Sequence, residues 1–366
     1  MQLSSVEVTN FRNISGQIAF SEGLNLLIGD NGQGKTNWLE AISILATTRS
    51  FRTAKLSEAI RFEKEMAVID GTVRVSGEIT RELRALIEER VKQFAVNGKR
   101  ESIPNYLGQL HAVVFTAEEL AVVRGGPEHR RRFLDEAVVG VYPPYSGTIS
   151  EYSRIMKQKN ALLQTARDEA SSIERTAELL LPWNEQLAAS ATRIHRSRVR
   201  IVERLNEVLE KRLFSSEEVS IRYASHLEGK GDLSDYEELL TERLKTRVQA
   251  ELVSGHSLIG PHRDDLEITF DGRDIRRFGS SGQQRSAFLL LLLANIAVYF
   301  ATRSEYPLFL IDDIDSELDH ERIGRLLEFL NGKTQTIVTT SKPTVASAFG
   351  RGASQFQVAY GVAKPL

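Results

Sequence analysis

Gly29-Asp30-Asn31-Gly32-Gln33-Gly34-Lys35-Thr36 is the stretch on which the reading of this chain turns. It fits the pattern GxxxxGK[ST] at every fixed position. Its surroundings fit as well. Gly23 leads into a mostly apolar run, Leu24 to Ile28, which reads as a strand buried on both faces. Trp38 to Leu45 comes next as a helix with Leu39, Ile42 and Ile44 available for burial. The glycines let the backbone curl until successive N–H groups point into an anion, and the helix N-terminus adds free donors and a partial positive charge. Lys35 is then placed to reach the β- and γ-phosphates of a nucleotide, and the Thr36 hydroxyl to bind Mg²⁺. The whole segment Gly29, Asp30, Asn31, Gly32, Gln33, Gly34, Lys35 and Thr36 is the expected cradle. The bland alternative is a glycine-rich turn that binds nothing.

Two further segments belong to the same chemistry. Leu308 to Ile311 is apolar throughout and ends in Asp312-Asp313, so a buried strand delivers two carboxylates at its C-terminal end. Asp312 is expected to hold Mg²⁺ opposite Thr36. Asp313 is expected to stand by the γ-phosphate as the catalytic residue that polarises the attacking water, although an ordinary aspartate is a weak base at neutral pH. Ser280-Ser281-Gly282-Gln283 opens the most apolar helix of the chain. There Ser280 offers a hydroxyl, Gly282 permits close backbone approach, and the helix end makes a second anion cradle. Alone it would be a capping turn. Beside a P-loop, with Gln283, it implies a nucleotide held between two surfaces.

The chain of 366 residues carries 47 Lys+Arg against 49 Asp+Glu, a net charge of 47 − 49 = −2. Any footprint for a nucleic acid must therefore be local. Cysteine is absent, which excludes disulfides, thiolate metal sites and cysteine nucleophiles and fits a reducing compartment. No secretory signal is visible at the start. Ala287 to Ala301 is strongly apolar but short for a bilayer and interrupted by Asn295, so it reads as a buried helix.

Around these motifs the pattern alternates between compact and extended. Leu3, Val6, Val8, Ile18 and Phe20 suggest N-terminal strands, Asn97-Gly98 a tight hairpin, and His111 to Phe115 another buried strand. From about Glu128 to Arg212 leucines and other apolar residues recur at helical spacing, with Pro182-Trp183 as the expected break. This predicts two long helices folded back as an antiparallel arm. After His256 the α/β pattern resumes. The expected class is α/β, a split lobe with a helical domain inserted: residues 1–115 and 256–366 form the lobe and 116–255 the arm.

Taken in order, Asn10-Phe11-Arg12-Asn13, GDNGQGKTN (Gly29 to Asn37), Ser50-Phe51-Arg52-Thr53, Arg130-Arg131-Arg132-Phe133-Leu134-Asp135, Gly260-Pro261-His262-Arg263-Asp264-Asp265, SSGQQR (Ser280 to Arg285) and IDDIDSELD (Ile311 to Asp319) resemble the RecF family. That family consists of small ABC-type ATPases related to SMC and Rad50 proteins. The resemblance implies an ABC-type P-loop ATPase head (lobe I) with an arm domain (lobe II), and ATP and Mg²⁺ as ligands. It implies a homodimer that closes on two ATP molecules, with Ser280, Gly282 and Gln283 of one subunit meeting the γ-phosphate held by Lys35 of the other. Ser316 to Asp319 would cross between the sites, and Arg12 and Arg52 would lie near nucleotide or signature. It further implies slow DNA-dependent ATP hydrolysis, a cytoplasmic, nucleoid-associated place in repair of single-strand gaps and the SOS response, and RecR, with RecO, as partner in loading RecA. No membrane partner is implied. The sequence departs from ABC-type ATPases at two positions: Thr116-Ala117-Glu118-Glu119 stands where a lid Gln is usual, and Thr339-Thr340-Ser341 where a switch His is usual.

Arg193, Arg196, Arg200 and Arg204 are spaced three, four and four apart and share a helix face. Such a stripe fits the backbone of duplex DNA, or of a duplex/single-strand junction, without base readout. It equally fits a solvated face paired with acids such as Glu203. No aromatic ladder for single strands is visible. Two other function classes stay open from the residues alone: the ATPase subunit of a membrane transporter, and a nucleotide-binding scaffold without hydrolysis.

Overall fold

A computed structural model describes residues 1–76, 79–212 and 217–366. Its centre is a six-stranded sheet in the order Val362–Pro365, Ser354–Ala359, Leu24–Ile28, Thr336–Thr340, Leu308–Ile311, Ala112–Phe115. All pairings are parallel except the hairpin formed by the last two segments of the chain. Because successive side chains of a strand point to opposite faces, apolar runs covered on both sides divide their residues between two cores. Leu26, Phe309, Ile311 and Val338 enter one core, under the helix Ser281–Arg303. Leu27, Leu308, Leu310 and Ile337 enter the other, under the P-loop helix Lys35–Thr47 with Trp38, Leu39 and Ile42.

The second core is closed by an antiparallel sheet ordered Ile14–Ala19, Gln2–Phe11, Met66–Ser76, Ile79–Glu88, Lys92–Val96, Lys99–Glu101. The hairpin expected at Asn97-Gly98 is present, with φ of 49° and 75° at its two turn residues. The helix Ser281–Arg303 is long and apolar enough to cross a bilayer, yet 72% of its most apolar window is buried, and Phe288 stacks on Phe115 at 5.7 Å between ring centres. It is the core helix expected from the sequence.

The arm is built from Pro127–Val141, Tyr145–Asp168 and Ile173–Leu209. The last runs for 37 residues, roughly 55 Å at 1.5 Å per residue. Pro182 lies inside it and does not break it, contrary to expectation. Proline removes one helical N–H and leaves the carbonyl of Glu178 unpaired, but both residues face solvent, where water can satisfy it. Buried Leu180, Asn184 and Leu187 hold the helix on either side. The chain reverses instead between the two long helices, where Ala170 takes a φ of 49° and Ser172 caps the new helix by accepting from the Arg175 amide at 3.2 Å.

A three-stranded sheet, Arg273–Asp274, Asp265–Phe270 and Val219–Ala224, straddles the expected boundary at 255/256, since the strand before it pairs with one after it. A fully buried ion pair ties the same region together: Lys159 Nζ lies 2.7 Å from Glu251 Oε2, both side chains inaccessible. Glu251 Oε1 also accepts from the Ser257 hydroxyl and the Leu258 amide. Removing one partner strands the other charge. Lys159→Met should cost about 3–5 kcal/mol in a urea titration, with part of the loss recovered in the Lys159→Met/Glu251→Gln double variant. Equal stability of Lys159→Met and the parent would contradict this account.

Candidate nucleotide-binding and hydrolysis site

The strands Leu24–Ile28, Thr336–Thr340, Leu308–Ile311 and Ala112–Phe115 all run the same way, so their C-terminal ends open on one edge of the sheet. The P-loop, Ser341, Asp312 and Thr116 are the respective next residues along the chain, so four distant segments meet in one crevice, the usual place for a ligand in an open α/β sheet. The cleft there measures about 1000 Å³. Its lining includes Asn31, Gly32, Gly34, Lys35, Thr36, Asp312 and Asp313.

Gly34 has a φ of 104°, and a Cβ on it would sit 2.8 Å from Ile14 Cγ2. A Cβ on Gly29 would meet the Val358 carbonyl at 2.3 Å. These two glycines are demanded by backbone conformation and by close packing respectively. Lys35 is nearly buried, and its ammonium donates to the carbonyls of Gly29 at 2.6 Å and Asp30 at 2.9 Å. The cation is thus curled over the loop whose amides would face a phosphate.

The loop is braced by the C-terminal hairpin, which no sequence motif marks. Gln33 accepts from the Gly361 amide through its carbonyl at 2.9 Å and from the Tyr360 amide through Oε1 at 2.7 Å. Trp38 Nε1 donates to the Gly361 carbonyl at 3.2 Å. Gly361 has a φ of 81°, and a Cβ there would lie 1.9 Å from the Asn13 carbonyl.

Asp312 is 9% exposed, and its Oδ1 accepts from two hydroxyls: Thr36 at 3.0 Å and Thr339 at 2.7 Å. Burial pushes this carboxyl above the usual aspartate range, against the pull of those two hydrogen bonds. The Thr36 hydroxyl and the Asp312 carboxylate are hard oxygen donors already in contact, which suits Mg²⁺ in a site that would also take phosphate oxygens. Asp313 adopts a φ of 47°, and its amide donates to Thr339 Oγ1 at 2.7 Å. Its Oδ2 accepts from the Ser316 hydroxyl at 2.6 Å, whereas its Oδ1 is buried and has no hydrogen-bond partner among the described residues. Of the two unusual positions noted in the sequence, Ala117 and Glu118 line the cleft and Thr339 joins both aspartates.

Glu40, on the P-loop helix, is fully buried and accepts both Nε and Nη2 of Arg12 at 2.8 Å and the Ser50 hydroxyl at 2.6 Å. Arg52 donates to Asn37 at 2.6 Å, Asn37 to Asn13 at 2.6 Å, and Asn13 to the Gly32 carbonyl at 3.4 Å. Arg12 and Arg52 therefore both stand at the cleft. Glu40, their anchor, was not singled out in the sequence; its signal was an acid at a position where the helix needs burial.

The signature residues stand apart. Ser280 caps the helix Ser281–Arg303, accepting from the Gln283 amide at 3.3 Å, and Gln283 Oε1 accepts from the Ser280 amide at 2.9 Å. Ser280 and Gly282 are exposed, a Cβ at Gly282 would touch nothing within 4 Å, and none of the three lines the cleft. Arg285, one turn later, pairs at 2.8 Å with Glu317, which does line it.

On the arm, Arg196 and Arg200 are exposed, and Arg193 is exposed but paired with Glu151 at 2.8 Å. Arg204 turns inward onto the core helix, donating to Thr302 Oγ1 at 2.6 Å. Arg130 forks onto Asp265, Arg131 donates to the Asp264 carbonyl, and Arg132 pairs with Glu119, so that cluster is spent within the protein.

The chain matches the RecF/RecN/SMC N terminal domain over residues 2–362. It is 35% identical over 347 residues to the DNA replication and repair protein RecF of Geobacillus kaustophilus (strain HTA426), and 37% identical over 349 residues to that of Geobacter sp. (strain M21), with 93% of each chain covered in both cases. The protein of that name from Synechococcus sp. (strain JA-3-3Ab) is 36% identical over 100% of this chain and 98% of its own. Among solved structures, the recombination mediator protein RecF in the RecFOR pathway superimposes in its RecF-ATPrS and RecF-ATP forms with a TM-score of 0.89 and 31% identity, covering 100% of this chain. They cover 98% and 97% of the solved chains. An Smc head shares the fold alone, at a TM-score of 0.55 and 15% identity. The fold is that of an ABC-type ATPase head carrying a helical arm.

The hairpin brace can be tested apart from the motifs. Gly361→Ala should force the backbone away from Asn13, release Gln33 and weaken ATP binding about tenfold, as expected for roughly 1–3 kcal/mol of local strain. Calorimetric titration against Gly352→Ala, a positive-φ glycine elsewhere, separates the brace from general strain.

Proposed function

The chain belongs to the RecF family, and from that premise we propose that it is an ATP-dependent DNA-binding clamp in recombinational repair of single-strand gaps. It dimerises on ATP, hydrolyses it slowly when DNA is present, and helps RecO and RecR load RecA. Its place is the cytoplasm, at the nucleoid.

The observation that carries the dimer is the separation of the two phosphate-binding elements: Lys35 faces one cleft, whereas the Ser280 turn lies outside it and faces solvent. A second subunit supplies the missing side. Backbone amides of Gly32 to Thr36 and the Lys35 ammonium hold the β- and γ-phosphates. Thr36 and Asp312 hold Mg²⁺, which when bound offsets phosphate charge. Asp313 Oδ1, buried and without a partner among the described residues, accepts a hydrogen bond from the attacking water and orients it. On the arm, Arg196 and Arg200 support contact with a DNA backbone; Arg193 must leave Glu151 to join them, and Arg204 contributes least.

Sizing in solution tests the dimer. Mass should double with ATP, not with ADP, and not with Lys35→Met; a monomer under all three conditions rejects it. Asp313→Asn should lower turnover about 10²- to 10⁴-fold and lengthen the life of the ATP-bound dimer. Charge reversal to Glu at Arg193, Arg196, Arg200 and Arg204 should weaken duplex binding and flatten its salt dependence while ATP binding survives. An unchanged salt slope would remove the arm from the DNA site.

A further inference from the structure

We infer that Thr339 is the positioning residue that fixes the metal-binding acid and the water-orienting acid relative to one another. The inference rests on the hydrolytic reading of the site and names a further residue for it. A threonine hydroxyl has one hydrogen and two lone pairs. Here the hydrogen goes to Asp312 Oδ1 at 2.7 Å, and a lone pair takes the Asp313 amide at 2.7 Å. Thr339 is wholly buried at the end of Thr336–Thr340, which pairs in parallel with Leu308–Ile311, the strand that delivers both acids. One atom therefore sets the height of the Asp312 carboxylate and the path of the backbone that carries Asp313.

That backbone needs holding. Asp313 is a non-glycine residue with a φ of 47°, a conformation that must be imposed by its surroundings. The next strand residue continues the fastening. Thr340, also fully buried, donates to Asp315 Oδ1 at 2.6 Å, and the Ser341 hydroxyl donates to Asp315 Oδ2 at 3.3 Å. The turn from Asp312 to Asp315 is thus clasped at both ends by hydroxyls from one strand terminus. Among the described residues, the hydrogen bonds of these side chains meet the phosphate loop only through Asp312, where Thr36 shares the same oxygen. A loss at Thr339 should therefore appear in turnover and metal affinity and spare nucleotide capture.

The test compares Thr339→Val, which keeps the shape and removes the hydroxyl, with Thr339→Ser, which keeps the hydroxyl. Thr339→Val should lower kcat about 10- to 100-fold, the usual cost of losing a group that orients a metal ligand, with KM for ATP within about twofold. Thr339→Ser should restore most of the rate. A second measurement uses Mn²⁺ as the probe, titrated by electron paramagnetic resonance into the protein with a non-hydrolysable ATP analogue. Its affinity should fall about tenfold or more in Thr339→Val and recover in Thr339→Ser. Parent-like kcat and Mn²⁺ affinity in Thr339→Val would overturn the inference. So would equal losses in both variants, or loss of binding of the fluorescent ATP analogue mant-ATP in Thr339→Val, since either would mark Thr339 as a packing residue. If the parent itself shows no turnover, the hydrolytic reading fails, and the Mn²⁺ comparison still decides the role of Thr339.

Discussion

Backbone amides can gather round a phosphate only if the loop that carries them is held in a conformation it would not keep alone. In this protein that restraint comes from outside the loop. Gly34 is packed on Ile14, Gly29 on Val358, and Gln33 is pinned by the Tyr360-Gly361 turn. The strand before the loop, Leu24–Ile28, is flanked by Thr336–Thr340 on one side and Ser354–Ala359 on the other. Its cradle is consequently a property of the assembled sheet. Most of the functional side chains simply sit where a strand of that sheet ends.

The same sheet explains how an acid and a hydroxyl far apart in the chain come into contact. Parallel strands end together, so Asp312 arrives beside Thr36 although 276 residues separate them. Burial makes the acid costly to ionise, and two hydroxyls compensate. Hydroxyls suit this task because they supply hydrogen bonds without adding charge to a crevice built for a polyanion.

Much of this was legible in the sequence, and the limits were physical. The phosphate loop, the paired aspartates and the capped Ser280 turn are local arrangements, each fixed by a few consecutive residues. Glu40, Thr339 and the Tyr360-Gly361 brace depend on partners 28, 27 and 327 positions away, and no local pattern marks them. Pro182 misled because its effect depends on whether the freed carbonyl faces water, which the sequence does not state. The arginine stripe on the arm is real as a helical face, but spacing alone could not foretell that Arg204 would turn toward Thr302 or that Glu151 would cover Arg193. At the expected boundary between residues 255 and 256 the pattern of the sequence changes, yet sheet pairing crosses it.

The capping box at Ser280 has a further consequence. In closing it, the Ser280 hydroxyl accepts and the Gln283 carbonyl oxygen accepts, so the hydroxyl hydrogen and the two amide hydrogens of Gln283 find no acceptor among the described residues. The cap that starts the helix leaves these hydrogens on an exposed Ser280 and a half-buried Gln283 whose heavy atoms are already placed. A ligand that took them would find the Ser280 oxygen and the Gln283 amide plane already placed, so part of the entropy of ordering them is lost in folding.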